Sequence, residues 1–170
     1  MRKILGMAAV ILVVGLASPA LAETGGGQDF FVVFAGPPGS TGSVVATGAF
    51  TGAGTVVTPE GQPPAGFPAV LTFPQGTLVL GISPTGNGFQ FDPRSCVVSG
   101  PIFGTYQVTG GTGQFLGASG SGTFQGQVFA LFGRDAQGEC VDPASGQPPV
   151  FLVQVIRNPG TLTLPAAQAA

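Results

Sequence analysis

The sequence predicts an all-β protein, an antiparallel β-barrel of about eight strands, with a β-sandwich as the alternative. Short segments rich in Val, Leu, Thr and Phe alternate with clusters of Gly and Pro, which end strands and form turns. The 170 residues include 30 Gly, 16 Pro and 14 Phe. The frequent glycines inside the strand-like segments favour the barrel, because glycine lets a strand bend sharply at a barrel corner.

The N-terminal segment, residues 1–22, is predicted to be a cleaved signal peptide. Two basic residues precede an apolar run over residues 4–16, and the Ala-Leu-Ala sequence that ends the segment is typical of a cleavage site. The run is shorter than the roughly 20 residues of a membrane-spanning helix. An uncleaved N-terminal anchor is the alternative. Residues 23–170 are expected to form one secreted, extracytoplasmic domain with no integral membrane segment.

The strand-like segments follow from alternation of side chains and from their flanking turn residues. They are residues 30–34, 43–57 (one strand or a hairpin of two), 69–73, 77–82, 89–91, 96–98, 102–109, 120–132, 150–156 and 161–164. Between them, residues 23–28 are predicted to be a Gly-rich lead-in, 58–68 a Pro-rich loop, and 83–88 and 158–160 turns. No window outside the signal segment has the repeat of an amphipathic helix.

The central hairpin, residues 102–129, carries the strongest fold signal. Its two arms are joined by Gly110-Gly111-Thr112-Gly113, a turn of residues that tolerate positive φ. Its second arm places Gly122, Phe124 and Gly126 on one face, and Gly48, Phe50 and Gly52 repeat this pattern. An aromatic ring over neighbouring strand glycines substitutes for their missing side chains. The repeat therefore favours a tightly curved sheet.

Cys96 and Cys140 are the only cysteines and are predicted to form a disulfide. An even pair in an exported protein is typical of a disulfide framework. The alternative, a metal site, would have two thiols without a His or a third Cys to complete it. A disulfide that closes a loop of about 45 residues contributes roughly 4 kcal/mol in the chain-entropy model.

The charge of the predicted domain excludes several function classes. Without Arg2 and Lys3, three Arg and seven carboxylates remain, a formal charge of −4, and there is no Lys and no His. Nucleic acids and anionic membranes are bound by clusters of cations. Activated Ser or Cys nucleophiles need a base, and phosphate loops need a Lys. We therefore expect no nucleic-acid partner, no cofactor and no identifiable catalytic machinery.

Several motifs carry resemblances to known families. Gly110-Gly111-Thr112-Gly113-x-Phe115, followed by Gly117-Ala118 and Gly120, resembles a hairpin of the allene oxide cyclase-like barrel superfamily, which includes the dirigent proteins and secreted bacterial proteins of unknown role. Phe73-Pro74-x-Gly76-Thr77, Phe91-Asp92-Pro93-x-x-Cys96 and the late Cys140 look like a secreted actinobacterial family. The resemblance implies an eight-stranded barrel with an apolar cavity. It transfers no catalytic residue.

Several residues are candidates for a site. Tyr106, Phe89, Phe91 and Phe124 are candidate cavity residues, with Tyr106 as a hydrogen-bond donor to a ligand or as an ordinary core aromatic. The only candidates for acid–base chemistry are the carboxylates near the cysteines, Asp92, Asp135, Glu139 and Asp142. They lack the spacing of a calcium-binding loop. The simpler interpretation is that they are solvated loop residues.

The sequence thus predicts a secreted β-barrel that binds a small apolar or aromatic ligand in its interior. One alternative is a cyclase- or dirigent-like enzyme acting on a hydrophobic intermediate. The other is a cell-surface or matrix module whose exterior contacts other chains.

Overall fold

The computed structural model describes residues 24–58 and 67–165. The predicted signal peptide, residues 1–22, and most of the predicted Pro-rich loop, residues 59–66, lie outside the described residues. The described strands are β1 (Thr24–Gly36), β2 (Gly42–Gly48), β3 (Gly52–Val57), β4 (Phe67–Phe73), β5 (Gly76–Asn87), β6 (Gln90–Asp92), β7 (Val97–Gly111), β8 (Ser119–Leu131) and β9 (Phe151–Leu164). Two short 3-10 helices, Gly113–Phe115 and Pro143–Ser145, complete the regular structure.

Eight of these strands close into an antiparallel barrel, which confirms the predicted fold class. Strands β1 to β5 pair in sequence order, and β5 then pairs with β7, β7 with β8, β8 with β9 and β9 with β1. Strand β6 pairs only with the beginning of β7, outside this ring. Closure pairs both edges of all eight strands, so the ring itself has no free sheet edge.

The predicted Gly-rich lead-in is wrong, because residues 24–28 are part of strand β1. Strand β1 begins at Thr24 and pairs with β9, from Thr24 opposite Leu164 to Gly36 opposite Leu152. Glycines 25 to 27 have no side chains to show an alternating pattern. Their backbone groups nevertheless complete the ladder that closes the barrel.

The two turns predicted at residues 83–88 and 158–160 are also wrong, because both segments continue a strand. Strand β5 extends to Asn87 through a register shift between Pro84 and Gly86. Strand β9 continues through Pro159, which lacks an N–H group. The pairing of β8 with β9 is interrupted at this point, between the pairs Gly122–Gly160 and Gln125–Arg157, so the missing donor is accommodated.

The connection of the central hairpin is longer than the predicted four-residue turn. Strand β7 extends through Gly111, and residues 112–118, with the 3-10 helix Gly113–Phe115, lead into β8. The backbone N–H of Gln114 donates to the Gln75 carbonyl at 3.0 Å. This contact ties the hairpin connection to the turn between β4 and β5.

One end of the barrel is closed by three phenylalanines, Phe50, Phe73 and Phe115, which we call the aromatic cluster. The ring centroids of Phe50 lie 4.9 Å from those of both Phe73 and Phe115, in edge-to-face arrangements. The buried amide of Gln28 supports this end, because its Oε1 accepts the backbone N–H of Phe50 at 2.9 Å. Its Nε2 donates to the Thr47 carbonyl at 3.0 Å.

Aromatic rings lie over strand glycines elsewhere in the interior. A Cβ built on Gly104 would lie 2.5 Å from the ring of Phe124, its cross-strand neighbour. A Cβ on Gly122 would lie 2.6 Å from the ring of Tyr106, and one on Gly160 would lie 2.5 Å from the Tyr106 hydroxyl. These glycines make room for large inward side chains.

The predicted disulfide between Cys96 and Cys140 is confirmed. The Cα atoms of the two cysteines lie 5.3 Å apart, within the usual range for a disulfide. With Ala130 and Phe132, Cys96 forms a second buried cluster, separate from the main barrel core. The bridge joins the start of β7 to the segment between β8 and β9.

Within the two described segments, no helix has the length and apolar character needed to cross a membrane.

Candidate ligand-binding cavity

A cavity of about 550 Å³ lies inside the barrel, at the end away from the aromatic cluster. Alternate residues of each strand point inward, and most of the cavity lining is aliphatic or aromatic. The lining includes Val32, Leu71, Leu80, Ile102, Phe124 and Ile156. The volume falls in the range of about 300–1,000 Å³ that is typical of small-molecule sites.

The floor of the cavity lies where the inward-facing residues of each strand cease to line it. On β9, Gln154, Ile156 and Asn158 line the cavity, whereas the next inward position, Gly160, lies against the Tyr106 hydroxyl. Phe30, the β1 partner of Asn158, lies outside the lining as well. Phe30 and Tyr106 pack edge to face with centroids 6.3 Å apart. They form a buried layer between the cavity and the aromatic cluster.

The structure places the four candidate cavity residues in different environments. Phe124 lies in the cavity wall, and Phe89 lines the cavity while remaining half-exposed. Tyr106 is fully buried in the layer beneath the floor, and it does not line the cavity. Phe91 lies on β6, is exposed, and does not line the cavity.

The environment of Tyr106 is that of a core aromatic. Its hydroxyl donates a long hydrogen bond of 3.5 Å to the backbone carbonyl of Asn158. Burial, together with the negative charge of Asp29 beyond the barrel wall, raises the pKa of Tyr106 to about 12. The phenol is therefore neutral in the folded protein at neutral pH.

Alkaline pH is expected to weaken the fold through Tyr106. The unfolded phenol ionises near pH 10, whereas the folded phenol holds its proton to about pH 12. Stability from this residue is thus complete below pH 10 and falls between pH 10 and 12, by up to about 1.4 kcal/mol per pH unit. Because the chain has one Tyr and no Trp, phenolate absorbance reports on Tyr106 alone. The measurement is denaturant unfolding across this pH range, alongside that absorbance.

A Tyr106→Phe variant is the control, since it should unfold with no such slope between pH 10 and 12. Appearance of the phenolate near pH 10 in the folded wild type would contradict the burial argument.

Three of the four candidate carboxylates have local roles in turns. Asp92, Asp135 and Asp142 each accept a hydrogen bond from the backbone N–H two residues further along the chain. Hydrogen bonds from the Ser95 hydroxyl and from the backbone N–H of Arg94 hold the pKa of the Asp92 carboxyl below its usual value. Within the described residues, the structure forms no metal-binding cluster of three or more acidic, Cys or His side chains. None of the four carboxylates, including that of Glu139, lines the cavity.

The polar residues of the cavity were missed by the sequence analysis. They are Thr58, Asn87, Gln154 and Asn158, and the described lining contains no charged side chain. Asn158 falls in the predicted turn at residues 158–160, because Pro159 and Gly160 follow it. Continuing the alternation of β9 from Gln154 through Ile156 would have placed it inside.

The outer wall carries an apolar patch, formed by Phe31, Phe103, Phe129 and Val155 on strands β1, β7, β8 and β9. Each of these outward-facing side chains is at least 38% exposed. Beside them, Arg157 pairs with Asp29, with Nη2 and Oδ2 2.5 Å apart. We call this surface the outer-wall patch.

Comparison with known proteins found no similar family model, curated protein or solved structure. The resemblance to the allene oxide cyclase-like superfamily therefore stays a prediction.

Proposed function

We propose that this protein is an extracytoplasmic β-barrel that binds a small apolar or aromatic molecule in its interior. The observation that carries the proposal is the cavity of about 550 Å³ with an apolar wall, closed at its inner end by the layer of Phe30 and Tyr106. An apolar molecule that enters this space leaves water, which is favourable in proportion to the buried apolar area.

The character of the lining supports binding over acid–base catalysis. A cyclase- or dirigent-like activity would require a titratable group facing the ligand. The described lining has no carboxylate, Tyr, Cys or Arg. None of the four candidate carboxylates lines the cavity, and Tyr106 directs its hydroxyl to a backbone carbonyl beneath the floor.

Two features support an extracytoplasmic location. Residues 1–22 have the pattern of a signal peptide. The Cys96–Cys140 disulfide is of a kind that persists in oxidising compartments.

The cavity can be tested by filling it. Ala69 lies on β4 with its side chain in the cavity wall, so Ala69→Phe directs a ring into the space that a ligand would occupy. We expect at least a ten-fold weaker affinity for Nile red, an uncharged apolar dye, measured by fluorescence titration. Thr72→Phe, on the exposed face of the same strand, is the matched control and should bind like the wild type.

Thermal unfolding of both variants verifies that they are folded. Equal Nile red affinity in the wild type and in a folded Ala69→Phe variant would overturn the proposal, as would failure of the wild type to bind any apolar probe.

The outer-wall patch favours a second candidate, the cell-surface or matrix module. Exposed apolar patches of this kind often mark interaction surfaces. Ala69→Phe would leave such a role intact, whereas Phe31→Ser would weaken it. Sedimentation of these two variants at increasing concentration therefore separates the two candidates.

A further inference from the structure

Among the described polar residues that line the cavity, Asn158 has the most deeply placed side chain. It is 5% exposed, and it lies at the floor, beyond Ile156 and Gln154 on the same strand. Its neighbours in the lining are aliphatic or aromatic, apart from the polar residues named above. A buried amide in such surroundings is normally satisfied by hydrogen bonds.

Within the described residues, the amide of Asn158 is only partly satisfied. Its Nδ2 donates one hydrogen bond to the Phe30 carbonyl at 3.0 Å. An Asn side chain offers two N–H donors and an acceptor oxygen. Among the described residues, the bond to the Phe30 carbonyl is the only hydrogen bond of the Asn158 side chain, so no described residue pairs with the second N–H or with Oδ1. This leaves one donor and one acceptor side by side at the cavity floor.

Charge in the surroundings decides what kind of group can meet this amide. The described lining has no cation, so a carboxylate at the floor would lose its hydration without gaining a counter-charge. Arg157 follows Ile156 on β9, but it faces outward and pairs with Asp29. An anionic head group therefore finds no counter-charge among the described residues of the lining.

We propose that the cavity holds an uncharged molecule that is largely apolar and carries one group able both to donate and to accept a hydrogen bond, with a hydroxyl as the smallest example. That group lies at the floor against Asn158, donating to Oδ1 and accepting from Nδ2. The apolar remainder extends along the wall formed by residues such as Ile156 and Phe124. This inference rests on the proposed ligand-binding function and specifies its ligand class.

The test compares three probes of equal chain length, dodecanol, dodecyl methyl ether and dodecanoate, by displacement of Nile red at neutral pH. The ether accepts a hydrogen bond but cannot donate one, and dodecanoate carries a charge. We expect dodecanol to bind about ten-fold more tightly than the ether, because one hydrogen bond to a buried partner changes the affinity by about this factor. Dodecanoate should bind more weakly than dodecanol.

Two substitutions on β9 test whether Asn158 causes the preference for dodecanol over the ether. Asn158→Leu should reduce the difference between dodecanol and the ether to less than two-fold. Gln154→Leu removes the other inward-facing amide of β9, nearer the outer end of the cavity; loss of the preference in this variant and not in Asn158→Leu would overturn the assignment to Asn158. If Asn158→Leu does not fold because it loses the hydrogen bond to the Phe30 carbonyl, the comparison of the three probes on the wild type still tests the proposed ligand class.

The outcomes separate this inference from the function on which it rests. Nile red binding with equal affinity for dodecanol and its ether, or with tighter binding of dodecanoate, overturns the inference and leaves the cavity function standing. Failure of Nile red and all three probes to bind the wild type overturns both.

Discussion

Replacing Phe115 with Ala is expected to lower the free energy of unfolding by about 3–5 kcal/mol, the usual cost of removing a buried aromatic ring. The Phe115 side chain is fully buried, and its ring meets that of Phe50 at 89° with centroids 4.9 Å apart. It comes from the connection between β7 and β8, so it joins that connection to the ends of β2 and β4. Urea unfolding at equilibrium measures the change.

Phe129→Ala is the matched control, because it removes the same atoms from the outer-wall patch. Its side chain is 50% exposed, so we expect a loss of no more than about 1 kcal/mol. Similar losses in the two variants would contradict the assignment of the aromatic cluster as the structural closure of the barrel. Nile red affinity should change little in the folded Phe115→Ala variant, because the layer of Phe30 and Tyr106 separates Phe115 from the cavity.

Strands with alternating side chains could be predicted from the sequence, and those without could not. Residues 77–82 and 120–132 alternate clearly; the first range lies within β5, and all of the second except Phe132 lies within β8. The glycines at 25 to 27 and the Asn-Pro-Gly sequence at 158–160 are typical of turns and flexible segments. In the structure they belong to β1 and β9, which pair with each other along their length. Pairing between distant parts of the chain overrides these local preferences.

The shape of the interior depends on register, which a single sequence does not reveal. Phe50 and Phe124 sit in the same Gly-x-Phe-x-Gly pattern, yet Phe50 joins the aromatic cluster and Phe124 forms part of the cavity wall. Which end of the barrel each ring occupies is set by the stagger of its strand against the neighbouring strands. The sequence therefore predicts a barrel and its large inward side chains. It does not predict which part of the interior these side chains leave unfilled.

The candidate site was predicted only in part for the same reason. Phe89 and Phe124 were candidates and line the cavity, while Asn158 was not considered because its local sequence suggested a turn. Its inward position follows from the pairing of Phe30 with Asn158 across β1 and β9. That pairing joins residues 128 positions apart in the chain.

The Cys96–Cys140 disulfide supports a part of the barrel that has little core of its own. The buried cluster around it contains only Ala130 and Phe132 besides Cys96, with Val98 and Leu152 packed against it. The Arg134 guanidinium adds hydrogen bonds of 2.7 Å to the carbonyls of Arg94 and Gly138. These polar contacts are exposed to solvent and add little to stability. The covalent bond is thus the main connection between the start of β7 and the segment that follows β8.

Removing this bond with the double variant Cys96→Ser and Cys140→Ser is expected to lower the free energy of unfolding by roughly 4 kcal/mol in the chain-entropy model. The bridged residues are 44 positions apart, so without the bridge the unfolded chain regains the conformational entropy that closure of this loop had removed. Urea unfolding of the variant and of the wild type, each with and without a thiol reductant, measures the effect. Reductant should bring the wild type close to the variant and leave the variant unchanged. A variant as stable as the oxidised wild type would show that the described contacts around Arg134 hold this region without the disulfide.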